Sequence, residues 1–164
     1  PQAAELVYTR SAALATDGPS ELGLQMAEDA VTLRRTLAED DPAGQAEALA
    51  QALHNLGLHL GALGRSVEAL LAFDEAVMIR RRLATDAHVD RAGALEAQLA
   101  RSLHGLALQL ARLDRHEEAL DAIDETIAIR RCLGGEELRE ALSRAEKLRH
   151  RLRTRSQAPT AALG

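Results

Sequence analysis

Apolar residues recur every three or four positions through most of the chain, and one stretch of that pattern appears twice, fifty residues apart. Pairing residues 53–83 with 103–133 at a fixed shift of 50 gives 17 identities in 31 positions without a gap. The shared apolar positions include Leu53/Leu103, Leu56/Leu106, Leu60/Leu110, Leu63/Leu113, Ala69/Ala119, Leu70/Leu120, Ile79/Ile129 and Leu83/Leu133. Steps of three and four are the spacing of one helical face. Each copy breaks once, at "LGRS" (63–66) and "LDRH" (113–116), and then resumes. Each repeat is therefore predicted as two helices joined by a tight turn, with Gly64 free to take the left-handed conformation that closes a helix and Asp114 a tolerated substitute.

A weaker copy precedes these at a shift of 46, where "AEDAVTLRRTLA" (27–38) lies over "FDEAVMIRRRLA" (73–84) and "DGPS" (17–20) lies over the turn. Pro19 suits the first turn of a helix, where its missing N–H costs nothing. Pro42 and the polar "TDAHVDRAG" (85–93) mark the breaks between pairs. After the third pair, a Gly-Gly stop at 134–135 precedes a helix that places Leu138, Leu142, Ala145, Leu148 and Leu152 on one stripe. An amphipathic helix of this kind covers the apolar end that a repeat array otherwise exposes.

The expected organisation is thus all-α. It is an α-solenoid of three antiparallel helix pairs at about 2–40, 43–84 and 91–133, a capping helix at 136–155, and a flexible tail at 156–164. Composition agrees, since the 46% apolar content is mostly Leu and Ala with few β-branched residues. Apolar runs are interrupted by Arg, Glu or Gln well short of the roughly 20 residues that a membrane span requires. The chain opens at Pro1 without Met, which suggests an excised domain.

Those breaks and positions carry a resemblance. The spacing is similar to that of tetratricopeptide repeats, whose signature places a large residue, Leu-Gly, a second large residue, Gly, Ala, an aromatic and Ala at fixed points. In the middle copy these are Leu53, Leu56-Gly57, Leu60, Gly64, Ala69, Phe73 and Ala76. The third copy keeps Leu103, Leu106, Leu110 and Ala119 but has Ala107, Asp114, Ile123 and Thr126 elsewhere; the first has Arg10-Ser11 in place of Leu-Gly. The 50-residue interval, with "LHNLG" and "EAVMIRRRLA", resembles the long-helix subclass found in kinesin light chains and in actinobacterial regulatory proteins.

The resemblance implies a concave groove lined by the first helix of each pair, which binds a protein or peptide segment. Carried over by position, the groove residues are Gln51, His54, Asn55, Leu58 and Ala62 in the middle copy, with Arg101, His104, Gly105, Leu108 and Arg112 in the third. Asn55 is the position that holds the main chain of an extended peptide in such repeats, or else a plain polar surface residue. Arg101 and Arg112 carry guanidinium groups able to grip a carboxylate or phosphate in a bidentate manner, or are ordinary solvated charges. The two further readings are a self-associating scaffold, a possible homodimer, using Leu-rich surfaces such as Leu71, and a ligand-sensing segment of a larger bacterial regulator.

Charge narrows the partners. Residues 1–146 hold 15 Arg against 25 acids, and the remaining cations, Lys147, Arg149, Arg151, Arg153 and Arg155, crowd the closing helix. That balance speaks against an array that wraps nucleic acid. The runs Arg34-Arg35, Arg80-Arg81-Arg82 and Arg130-Arg131 end the second helix of every pair, where they complement the negative end of the helix dipole or else form a phosphate-binding ladder. His54 and His104 recur, yet neither has a ligand-type residue four positions on, so no metal and no cofactor are expected. No nucleophile elbow, phosphate loop or HExxH is present, and an enzyme is not expected. Cys132 is the only cysteine, which suits a reducing cytoplasm, and the 19 Arg to one Lys suit a bacterial source.

Overall fold

The computed structural model describes residues 20–135 and 137–156, and the calls on 2–19 and on the tail lie outside them. Six helices follow one another: α1 (Glu21–Asp40), α2 (Pro42–Ala62), α3 (Ser66–Thr85), α4 (Val89–Arg112), α5 (His116–Leu133) and α6 (Glu137–Ser156). No strand occurs among the described residues. Each helix packs mainly on its neighbours in the chain, and α2 also touches α4, which gives the all-α, solenoid-like arrangement.

Helix ends follow the local sequence. The Ser20 hydroxyl accepts from the Gly23 N–H at the start of α1, and Asp41 accepts from the Gly44 N–H at the start of α2, with Pro42 in the first turn. The α2–α3 turn has Gly64 at φ 78°, with the Arg65 N–H bonded to Leu60 O at 2.9 Å and the Gly64 N–H to Gly61 O at 3.3 Å. That pair of bonds is a Schellman closure, which satisfies the last carbonyls of a helix and needs a left-handed residue. The α4–α5 turn repeats it around Asp114 at φ 58°, with Arg115 N–H to Leu110 O at 3.0 Å. Asp there costs about 1 kcal/mol relative to Gly. Arg65 and Arg115 then clasp Glu68 and Glu118 in the first turn of the following helix, each through Nε at 2.7 Å.

The core explains the Leu-Gly positions. Phe73 on α3 is fully buried, and a Cβ placed on Gly57 of α2 or Gly105 of α4 would lie 2.9 or 2.5 Å from its ring. Two helices can approach the ring only because both residues lack a side chain. One repeat on, Ile123 occupies the place of Phe73 and Ala107 that of Gly57, both fully buried in one cluster. The smaller side chain leaves room for a methyl group. At the far end, Ala145, Leu148 and Leu152 of α6 join Leu103, Ala107 and Ile127 in that cluster.

The arginine runs do more than complement the helix dipole, for which Arg82, Arg130 and Arg131 do stand in the last turn of α3 and α5. The first of each pair is buried and reaches the helix that follows: Arg34 Nη1 donates to Gln45 Oε1 on α2 at 3.2 Å, Arg80 Nη1 to Gln98 O on α4 at 2.9 Å, and Arg130 Nη1 to Ala141 O on α6 at 2.6 Å. The second stays exposed and reaches a glutamate further along the array: Arg35 to Glu75 at 2.6 Å, Arg81 to Glu125 at 2.6 Å and Arg131 to Glu146 at 2.7 Å. Each exposed pair contributes about 1 kcal/mol at most. The buried member matters more, because a guanidinium taken out of water must have its donors met.

Candidate functional site

Helices α2 and α4 lie side by side, and the residues expected on a common groove divide into two sets. Leu58 and Leu108, equivalent in register, are 44% and 37% exposed, and Ala62, one turn beyond Leu58, and Arg101, two turns before Leu108, are exposed as well. Leu58 and Ala62 are the open positions in the last three turns of a helix that is otherwise covered by α1, α3 and α4.

The other set is drawn into contacts between helices. His54 and Asn55 are each only 6% exposed, so they lie beneath the surface that the resemblance implied they would line. His54 meets the edge of Phe73, ring centres 5.5 Å apart, and its Nδ1 lies 3.1 Å from Ser102 Oγ on α4. That hydroxyl already accepts from Arg80 Nη1 at 2.6 Å. Arginine can only donate, so the Ser102 hydrogen is free to point at His54 Nδ1, and the His54 proton sits on Nε2. Burial, with Arg80 and Arg101 nearby, lowers the His54 pKa to about 3, so the ring is neutral at physiological pH.

Gln51 joins the same network. Its Oε1 accepts from Arg80 Nη2 at 2.8 Å while its Nε2 donates to Asn55 Oδ1 at 3.3 Å. Asn55 Nδ2 is buried and has no hydrogen-bond partner. Arg112 is exposed but tied down: its Nη1 donates to Gly61 O at 2.6 Å, closing the carbonyl end of α2 from α4, and to Gln109 Oε1 at 3.2 Å. Gly105 is buried against Phe73 and takes no part in a surface.

His104 stands between the two sets. It is half-buried, its Nδ1 is buried without a partner, and burial with Arg130 and Arg144 lowers its pKa to about 4. With Leu108 it forms one wall of a cleft of about 190 Å³ whose other wall is α6, through Arg144, Lys147, Leu148 and Arg151. The α6 residues were absent from the sequence-derived site. Their signal is the spacing 144, 147, 151, one residue ahead of the apolar stripe 145, 148, 152, but only the docking of α6 places them opposite His104.

Among the described residues no three His, Cys, Asp or Glu side chains gather as a metal site would require, and no helix is long and apolar enough to cross a membrane. No protein-family model matches the chain, and no characterised protein matches its sequence.

Proposed function

We propose that the chain is a tetratricopeptide-like, non-catalytic interaction module that binds a segment of a partner protein along α2 and α4. The observation that carries this reading is the exposure of Leu58 and Leu108 at equivalent positions on the two first helices. Large apolar side chains left open in register on adjacent helices offer an anchoring strip to an apolar residue of a partner, which is how a few residues dominate a protein interface. Arg101, exposed on α4 two turns before Leu108 and without an ion-pair partner among the described residues, supplies charge toward one end of the strip. Asn55 acts from below by accepting from Gln51, its own amide nitrogen left unpaired. The free thiol of Cys132 supports a cytoplasmic setting.

Selection of displayed peptides against the intact protein tests this. Peptides with one or more apolar anchors should emerge, and the double variant Leu58→Ser, Leu108→Ser should bind them at least tenfold more weakly while melting at the same temperature. Unchanged affinity in that variant removes the groove from the proposal.

A second reading rests on its own observation. Val67, Leu71 and Met78 on the outer side of α3 are 59%, 65% and 60% exposed and lie at i, i+4 and i+11, a single helical stripe. Self-association through that stripe predicts a dimer in light scattering that Leu71→Lys converts to a monomer.

A further inference from the structure

The cleft between α4 and α6 differs from the Leu58–Leu108 strip in being lined by three cations, of which only one has a carboxylate partner among the described residues. Lys147 and Arg151 are exposed and form no ion pair among the described residues, while Arg144 is paired only with Glu140, one turn away on the outer surface, at 2.9 Å. Residues 144, 147 and 151 stand one helical turn apart in sequence, so their side chains rise from one face of α6 about 5–6 Å from each other. Opposite them stands His104. Glu146, also on α6, is already held by Arg131 at 2.7 Å and lines the neighbouring depression. Arg130 lies beneath and adds a further positive charge that acts on His104. No acidic side chain lines the cleft itself.

Three cations held together with one carboxylate, Glu140, at their edge repel one another, and a solitary carboxylate relieves only one of them. A doubly charged group with three acceptor oxygens meets several donors at once. At about 190 Å³ the cleft has the room of roughly six water molecules at ~30 Å³ each, which accommodates a phosphate and a few attached atoms. Leu108 and Leu148 provide apolar walls for the stem of such a group. We infer that the α4–α6 cleft is a binding site for a phosphate monoester, held by Arg144, Lys147 and Arg151 with His104 donating a further hydrogen bond. The site shares Leu108 with the peptide-binding strip but takes its cations from α6, so a groove that selects no peptide leaves it untouched.

The test is an amide-resonance titration of the full chain with phenyl phosphate, with acetate at matched ionic strength as the comparison. Phenyl phosphate should give saturating shifts centred on residues 104–108 and 144–151, and acetate at least tenfold weaker ones. The Lys147→Gln, Arg151→Gln double variant should lose at least tenfold in affinity without a change in melting temperature, because both side chains are exposed. Arg155→Gln, on the same helix outside the cleft, should bind within twofold of the parent. Equal affinity for acetate, shifts centred elsewhere, or full binding by the double variant would overturn the assignment. Repeating the titration with a short phosphoserine peptide identifies the source of the phosphate. Tighter binding than phenyl phosphate marks a modified side chain of a partner, and equal binding marks a free phosphate ester.

Discussion

Acidification should unfold this protein through its histidines well before its carboxylates titrate. His54 has a pKa near 6.5 in the unfolded chain and about 3 in the fold, so between those values the unfolded state holds a proton that the folded state does not. Stability therefore rises with pH across this window and is lost as pH falls from 6.5 toward 3. At pH 4.5 the unfolded value lies two units above the solution pH, which corresponds to about 3 kcal/mol at ~1.4 kcal/mol per unit. His104, lowered to about 4, acts with the same sign, but its partial exposure makes its share smaller. A total loss of about 4 kcal/mol is a large part of the stability of a domain this size. Glu68 and Glu118, held below the ordinary carboxylate range by Arg65 and Arg115, act with the same sign, but their share begins to be lost only as pH nears 4.5, their value in the unfolded chain and the acid end of the assay. The assay is guanidinium unfolding followed by helical circular dichroism at half-unit steps from pH 7.5 to 4.5. His54→Gln should retain a stability maximum at neutral pH but lose more than half of the slope between pH 6 and 4.5. A stability that is flat over that interval in the parent, or a variant with the parental slope, would refute the burial argument.

Three other outcomes follow from the packing. Gly57→Ala should destabilise by about 1–3 kcal/mol, because its methyl group meets the Phe73 ring; adding Phe73→Ile should recover part of that loss, since Ala107 and Ile123 already make this combination one repeat on, and strictly additive losses in a double-mutant cycle by thermal melting would contradict it. Arg80→Ala should cost about 3–5 kcal/mol by stranding Gln51, Ser102 and the Gln98 carbonyl, whereas Arg35→Ala, which removes one exposed ion pair, should cost less than about 1 kcal/mol in the same denaturation experiment. Deleting residues 136–164 should uncover Leu103, Ala107 and Ile127 and produce aggregation or a melting point lower by ten degrees or more; a monomeric, equally stable truncation would show that α6 is not needed as a cover.

The helical repeat was legible because it rests on positions that one helix face fixes by itself. Leu53, Leu60 and their counterparts Leu103 and Leu110 mark buried stripes, and Gly64 and Asp114 mark turns, without knowledge of any other helix. The role of Gly57 was half legible: its spacing to Phe73 could be read, but not that Gly105, from the next repeat, closes on the same ring. The groove residues were least legible. His54 and Asn55 occupy positions that look outward on an isolated pair, yet α4 covers them, and the partner of His54 is Ser102, 48 residues away. Arg34, Arg80 and Arg130 misled for the same reason. A basic residue at the end of a helix has a sufficient local explanation, and only the acceptors on the following helix reveal the larger one. The cations of the α4–α6 cleft were visible as charge but not as a site, because convergence is a property of two docked helices.

The arginine pairs give the array a direction. Each unit offers a buried guanidinium and an exposed one from the end of its second helix, and each following unit meets them with a main-chain or side-chain acceptor and a glutamate. The donors stand at corresponding places in α1, α3 and α5 and each reaches the helix that follows, the acceptor changing from the Gln45 side chain to the Gln98 and Ala141 carbonyls, so neighbouring units are joined by couplings of one kind. A chain built this way can change length by whole units without a new interface. Duplicating one 50-residue block would place a familiar donor before a familiar acceptor at both new junctions, and the surface formed by the first helices would lengthen by one helix width each time.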